Sequence, residues 1–237
     1  MSEQNGSVTT LSIDIGGSGI KGMVLNADGT PMTERYRVET PQPAKPDMVI
    51  DAIAQLAASK GNFARVSVGF PGVVRKGVIG TAVNLDPAWI NFDLGTTLSE
   101  KLAKPVRVAN DADIQGLGAI SGQGVELVIT LGTGFGSALF LDGKLLPNLE
   151  LGHHCFRKGE TYEEQLGRAA LDVIGKKKWN SRLEKAIASL EHAFNYDYLY
   201  IGGGNTDKIT FELPPNVKIV PNISGILGGI ALWRESA

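Results

Sequence analysis

Glycine placement constrains this chain more than any other feature. It carries 30 glycines in 237 residues, where ordinary soluble proteins average about 7%. They are not dispersed as in a linker. They cluster as IDIGGSGIKG, GFPGVV, LGTGFGS, YIGGGN and GILGG, each beside an aliphatic or β-branched run. Glycine costs backbone entropy wherever it sits, so clusters at strand ends mark tight turns or backbone that approaches a ligand.

The clusters organise the chain. Leu11–Ile15 reads as a buried strand, then a Gly turn, a second strand at Ile20–Asn26, a hairpin signal at Asp28-Gly29 and a third strand at Arg35–Val38. Three prolines make Thr40–Pro46 (TPQPAKP) an extended surface connection. Helical spacing covers Asp47–Lys60, with Asp47 as N-cap and Gly61 as stop. Strands follow at Arg65–Phe70 and Val106–Ala109, with helices at Leu94–Leu102 and from Ala112 to Ile120. Leu127–Leu131, a Gly-rich turn and Gly136–Leu141, closed by Asp142-Gly143, then repeat the strand–turn–strand plan of residues 11–26. Helices at Thr161–Ile174 and Arg182–Phe194, strands at Asp197–Ile201 and Val217–Val220, and a terminal helix at Ile223–Arg234 complete the reading. The expectation is an α/β protein of two similar halves, dividing near Asn110, with a ligand cleft between them.

Charge and composition narrow the classes. With 23 Lys+Arg against 25 Asp+Glu the net charge is −2, without the basic excess expected of a nucleic-acid or membrane-surface binder. No apolar run approaches the ~20 residues of a membrane span, and Met1–Thr10 lacks the order of a signal peptide. Cys155 is the only cysteine, which excludes an internal disulfide and any zinc site built on several thiolates. The expected location is the cytoplasm.

Two turns carry the candidate chemistry. Gly16-Gly17-Ser18-Gly19 and Gly132-Thr133-Gly134 expose consecutive backbone N–H groups that can form a nest for phosphate oxygens. Neither has Walker spacing, and neither precedes a helix as a dinucleotide motif does. Asp14, inside an apolar strand, would be costly unpaired, and Mg²⁺ or its waters would satisfy it; a bond to the adjacent turn would also do so. Lys21 could reach the same phosphates or stand in solvent. At Asn110-Asp111, a carboxylate could accept the proton of an attacking sugar hydroxyl while the amide holds neighbouring hydroxyls, or either residue could simply cap the helix. Glu150 and His153 suit vicinal hydroxyls better than a metal, because His153, His154 and Cys155 in succession point in divergent directions; a satisfied surface histidine is the other reading. The run Lys176-Lys177-Lys178 reads either as a polyanion contact or as a solvated helix end.

These residues resemble the ROK family of sugar kinases, within the actin–hexokinase–Hsp70 superfamily. IDIGGSGIKG resembles the family's first phosphate motif, with Ser18 where Thr is common; VANDAD resembles the catalytic strand–helix junction. LGTGFGS resembles the second phosphate loop, ELGHH the sugar-binding Glu-x-Gly-His, and IGGGN the nucleotide-side loop. TPQPAKP, GFPGVV, TAVNLDPAWI and LFLDGKLLPNLELGH resemble the polyphosphate/ATP glucokinase branch. The resemblance implies a two-domain actin-like ATPase (ribonuclease H-like) fold, with a small domain of residues 1–109 completed by a helix at 223–237, and a larger domain of 110–222. It implies Asp111 as catalytic base; Asn84, Asn110, Glu150, His153 and Glu163 on the sugar; and Gly16, Gly17, Ser18, Lys21, Gly132, Thr133, Gly134, Gly203 and Gly204 on the donor. Mg²⁺ near Asp14, ATP and/or polyphosphate as donor, and a homodimer follow from it too. The C-x-C-G-x(2)-G-C zinc motif of other members is missing, so no structural zinc is expected. Open alternatives are a kinase for another hexose such as mannose or N-acetylmannosamine, and a catalytically silent sugar-binding member. Ten residues ahead of the first strand are too few for the winged-helix segment of the family's repressors.

Overall fold

A continuous apolar run makes β1 (Thr10–Ile15) a central strand, buried except for half-buried Asp14. The computed structural model describes residues 8–82, 85–221 and 224–234; Asn84 lies outside them. β2 (Gly19–Leu25) folds back antiparallel on β1 and pairs with β3 (Tyr36–Glu39). On its other side β1 pairs in parallel with β4 (Arg65–Phe70), and β4 with β7 (Val106–Asn110), giving the order β3-β2-β1-β4-β7. A short hairpin, β5 (Val74–Arg75) and β6 (Val78–Ile79), lies between β4 and β7 in sequence. Helix α1 (Pro46–Ala58) packs Val49, Ile50 and Ile53 with Leu11, Ile13, Val66 and Val68 in one core, which Leu94 and Leu98 of α2 (Leu94–Leu102) also join.

The N-cap of α1 differs from the sequence expectation. It is Lys45, with no side-chain bond, and Asp47 sits in the first turn. Pro46 explains this: its fixed φ suits the first helical position, so the cap falls two residues earlier. The terminal segment differs more. Among its described residues only α6 (Ser224–Leu227) is α-helical, and Gly228–Trp233 tightens to 3₁₀ geometry; residues 223 and 235–237 of the expected helix lie outside them. Its carbonyls bond to strand serines instead of continuing a helix: Ser12 Oγ donates to Ile226 O (2.7 Å) and Ser67 Oγ to Gly229 O (2.6 Å). A Cβ on Gly229 would lie 2.2 Å from Ser12 Oγ, so the approach demands glycine. Trp233 donates from Nε1 to Ser67 Oγ (2.8 Å) and packs against the Arg65 and Arg107 guanidiniums.

This first unit runs to Ile114 and includes the segment from Gly225; the second spans Gln115–Ser224. The division falls within α3 (Asp111–Leu117). The second unit repeats the plan of the first. β8 (Val125–Leu131) and β9 (Phe135–Leu141) form the antiparallel hairpin, β10 (Lys144–Leu146) extends it, and β13 (Tyr198–Gly202) and β14 (Val217–Ile219) add in parallel. The order β10-β9-β8-β13-β14 matches that of the first sheet strand for strand. Positive φ at Asp142 (50°) and Gly143 (76°) makes the tight β9–β10 connection. A two-stranded ribbon, β11 (Cys155–Arg157) and β12 (Glu160–Thr161), was not expected from sequence.

The helices of this unit are cut differently from the periodicity. Thr161 caps α4 (Tyr162–Leu166) in a capping box with Glu164, and α5 spans Arg168–Phe194. Gly167, extended at φ −64° and ψ 172°, breaks the first expected helix, and a Cβ on it would meet Glu163 O at 2.8 Å and Thr133 O at 2.9 Å. Gly175, at φ 76° and ψ 160°, interrupts α5, so helix resumes well before residue 182. Trp179, Leu183 and Ile187 pack with Leu127, Ile129 and Leu199 in the core of this unit. Among the described residues no helix is long and apolar enough to cross a membrane.

Candidate active site

In the first unit the candidate residues gather at one sheet edge. Asp14 is in register with Gly69 of β4, and Gly69 with Ala109 of β7, so Asp14 and Asn110-Asp111 lie at the carboxyl ends of parallel strands two positions apart, roughly 10 Å. Such edges are where open α/β sheets bind ligands.

Asn110 caps α3. Its buried amide oxygen accepts from the N–H of Ala112 (2.8 Å) and Asp113 (3.3 Å), and its Nδ2 donates to Gly72 O (3.1 Å). The side chain expected to hold sugar hydroxyls is thus engaged in holding the junction. Asp111, only partly buried, opens the helix and accepts from Ala112 N–H at 2.8 Å. Asp14 is answered by Lys21, directly opposite on β2, whose Nζ lies 3.1 Å from Oδ2. The cost of a lone carboxylate in an apolar strand is met by that pair, and Lys21 is committed to it.

The turn Gly16–Gly19 is held through its carbonyls. Thr40 Oγ1 donates to Gly16 O (2.5 Å), Gln42 Nε2 to Gly17 O (3.3 Å) and an Arg37 guanidinium N–H to Ser18 O (2.9 Å). Carbonyl and N–H of a trans peptide point opposite ways, so the N–H groups of Gly17, Ser18 and Gly19 are turned away from these three side chains. A Cβ on Gly19 would lie 2.4 Å from Arg37 Nε, so a side chain there would push the Arg37 guanidinium off Ser18 O. Sequence reading missed Arg37, Thr40 and Gln42, since nothing local marks a strand end that clamps a turn twenty residues away.

In the second unit the two donor-side loops are neighbours. β8 and β13 are parallel with Thr130 opposite Gly202, so Gly132-Thr133-Gly134 and Gly203-Gly204 leave the same edge. Gly203 has φ 94°, and a Cβ on it would lie 2.3 Å from Leu131 O; Gly204 faces open space. Asn205 Nδ2 donates to Gly132 O (3.0 Å), and the Arg168 N–H donates to the carbonyls of Gly132 and Thr133. Asn205 was legible as the polar end of IGGGN, whereas Arg168 was not.

The acidic residues of this unit meet beside the second loop. Gly152 lets the turn Leu151–His153 press on β9, since its Cβ would lie 2.2 Å from Phe135 O, and Ser137 Oγ accepts from Leu151 N–H (3.1 Å). His153 Nδ1 lies 3.5 Å from Glu150 Oε2. Burial pushes the Glu150 carboxyl above its ordinary value; His153 opposes this and the like charge of Glu163 adds to it. Glu163 accepts from Phe135 N–H at 3.0 Å. The structure therefore brings Glu150, His153 and Glu163 together, and ties them to the Gly134-Phe135 end of the loop. Among the described residues no group of three or more His, Cys, Asp or Glu is arranged to hold a metal ion.

The ROK family model matches residues 10–160. Polyphosphate glucokinase of Mycobacterium tuberculosis (strain CDC 1551 / Oshkosh) is 35% identical over 250 residues, spanning 96% of this chain and 93% of its own length. That of Mycobacterium leprae (strain TN) is 35% identical over 234 residues, spanning 93% of this chain and 71% of its own. The crystal structure of inorganic polyphosphate/ATP-glucomannokinase from Arthrobacter sp. strain KM superposes with a TM-score of 0.86 at 36% identity, covering 96% of this chain and 100% of that one. A ROK family glucokinase from Streptomyces griseus, in complex with glucose and AMPPNP, shares the fold at TM-score 0.79 and 21% identity, covering 94% of this chain and 98% of its own.

Proposed function

The chain belongs to the ROK family, and from that premise we propose that it is a sugar kinase transferring a phosphoryl group from polyphosphate and/or ATP to the 6-hydroxyl of glucose. The observation that carries this reading is the 36% identity and 0.86 TM-score with a polyphosphate/ATP-glucomannokinase over nearly all of both chains. The local geometry supports it: two strand–turn–strand units with glycine turns, and a carboxylate at a strand end, are present in matching sheets.

In this reading Asp111 accepts the hydroxyl proton as the sugar oxygen bonds to phosphorus and the remaining phosphate chain or ADP departs. Phosphoryl transfer needs positioning and charge neutralisation more than covalent help, which backbone N–H groups of Gly17, Ser18, Thr133 and Gly204 would supply. Glu150, His153 and Glu163 hold sugar hydroxyls by charge-assisted bonds. Asp14, half-buried and paired with Lys21, is the carboxylate that would hold a Mg²⁺ ion through water or phosphate, and such an ion would neutralise charge on the donor phosphates. Cytoplasmic location and a homodimer belong to the same reading.

Mannose is the second acceptor to weigh, because the Arthrobacter relative is a glucomannokinase. Phosphorylation assays with glucose, mannose and N-acetylmannosamine, each run with ATP and with long-chain polyphosphate, test all of this. Formation of glucose 6-phosphate is expected; no hexose phosphate from either donor would refute the proposal.

A further inference from the structure

Lys176, Lys177 and Lys178 are exposed and take no part in the reading above. The break at Gly175 places them in the opening turn where α5 resumes. Cations there oppose the helix dipole, so helix stability does not account for them.

Their backbone is nonetheless firmly held. Buried Asn180 donates from Nδ2 to Lys176 O (2.8 Å) and Lys208 O (2.9 Å), while its Oδ1 accepts from Thr210 N–H (2.8 Å). The lysine turn is thereby fastened to the segment that continues Gly203-Gly204-Asn205. Asn205 in turn bonds to Gly132 O, and Thr206 Oγ1 to Gly203 O (3.0 Å). Charge bears out the proximity: the Asp207 carboxyl is held below its ordinary value mainly by its bond to Lys208, and further by the field of Lys176. One short bonded run thus joins both donor-side glycine loops to three exposed cations.

Building on the proposed kinase reading, we infer that Lys176, Lys177 and Lys178 form an auxiliary subsite for the trailing phosphates of a polyphosphate donor. A linear polyanion carries charge beyond the transferred group and releases counterions at each lysine it meets. ATP ends its charge at the third phosphate and has nothing to offer this surface.

The test is the triple variant Lys176→Ala/Lys177→Ala/Lys178→Ala, assayed with glucose against long-chain polyphosphate, tripolyphosphate and ATP. Alanine is the better helix former and relieves the dipole conflict, so the fold should persist. For long-chain polyphosphate, KM should rise about tenfold at low salt with little change in kcat. The slope of log KM against log salt should fall by about 2, near 0.7 per lost contact. ATP and tripolyphosphate constants should stay put, and Lys→Arg at the three positions should restore wild-type KM. An unchanged KM for long chains, or an equal loss for all three donors, overturns the subsite. A wild-type enzyme that phosphorylates glucose from ATP alone also overturns it, yet leaves the sugar-kinase reading standing; no product from any donor takes both down.

Discussion

Glu163 Oε2 accepts a 3.0 Å hydrogen bond from the backbone N–H of Phe135, so a carboxylate on α4 fixes the point where the second glycine loop becomes strand β9. The same oxygen would lie 2.2 Å from a Cβ on Gly134. Glycine at 134 therefore leaves the Glu163 carboxylate free to reach Phe135 N–H, a bond that a side chain at 134 would displace. Glu163 also sits close enough to Glu150 to raise its pKa. Its carboxylate touches the loop and the acidic cluster at once.

Replacing this residue separates the two roles. Glu163→Gln keeps an acceptor for Phe135 N–H but loses the charge, whereas Glu163→Ala loses both. Unfolding free energy should drop by about 1–2 kcal/mol for Ala, the usual cost of an orphaned backbone donor, and by less for Gln. If both are as stable as wild type in denaturant melts, the bond does not anchor the loop.

Asp111 is the residue on which the proposed chemistry turns. Ala112 N–H is accepted by both Asp111 Oδ1 and Asn110 Oδ1 at 2.8 Å, so Asp111→Ala leaves the helix cap in place and should cost at most about 1 kcal/mol of dipole interaction. Glucose 6-phosphate formation should fall by about 10²–10⁴-fold, the usual contribution of a general base. Turnover near wild type in a folded Asp111→Ala protein would reject Asp111 as the base.

Gly203 and Gly204 are adjacent glycines with opposite needs. At Gly203, φ 94° and a projected Cβ 2.3 Å from Leu131 O leave no room for a side chain, while Gly204 faces open space. Gly203→Ala should lose about 3 kcal/mol through positive φ and overpacking. Gly204→Ala should melt like wild type; a raised KM for the donor without loss of stability would mark it as a donor contact. Equal melting temperatures for the two variants would contradict this contrast.

Most strands and the duplicated plan were legible because buried strands leave apolar runs and tight turns leave Gly or Asp-Gly. LSIDI and LVITL became β1 and β8, and the two sheets share one strand order. Helix ends were less legible. The break at Gly167 answers to Thr133 O, 34 positions away in sequence, and the 3₁₀ turn at Gly228–Trp233 to Ser12 and Ser67; neither partner leaves a local trace. The site divides in the same way. Asp14, Asp111, Glu150 and His153 stood out as polar residues at strand ends or in unusual clusters. Lys21 as the partner of Asp14, and Arg37, Thr40 and Gln42 on the turn carbonyls, depend on strand pairing that spacing alone does not give.

Glu126 supplies a pH-dependent part of the stability of the second unit. It is wholly buried, yet accepts from Ser121 N–H (2.7 Å) and Oγ (2.8 Å), Gly122 N–H (2.8 Å), Gln123 N–H (3.2 Å) and Tyr200 OH (2.9 Å). Burial alone would push its carboxyl up, but the bonds from Ser121, Tyr200 and Gly122 outweigh it and hold the group below its ordinary value. A carboxyl depressed in the folded state adds stability that is present above its unfolded pKa of about 4.3 and is lost as pH falls through the folded value. Glu126→Gln turns an amide donor toward groups that are themselves donors, so it should cost about 2–3 kcal/mol at pH 7. The gap between variant and wild type should then narrow as pH falls below about 4, where protonation costs the wild type the same advantage. Urea titrations of both proteins across that range measure it directly, and a gap that stays constant with pH would show that Glu126 is not held as a carboxylate by these donors.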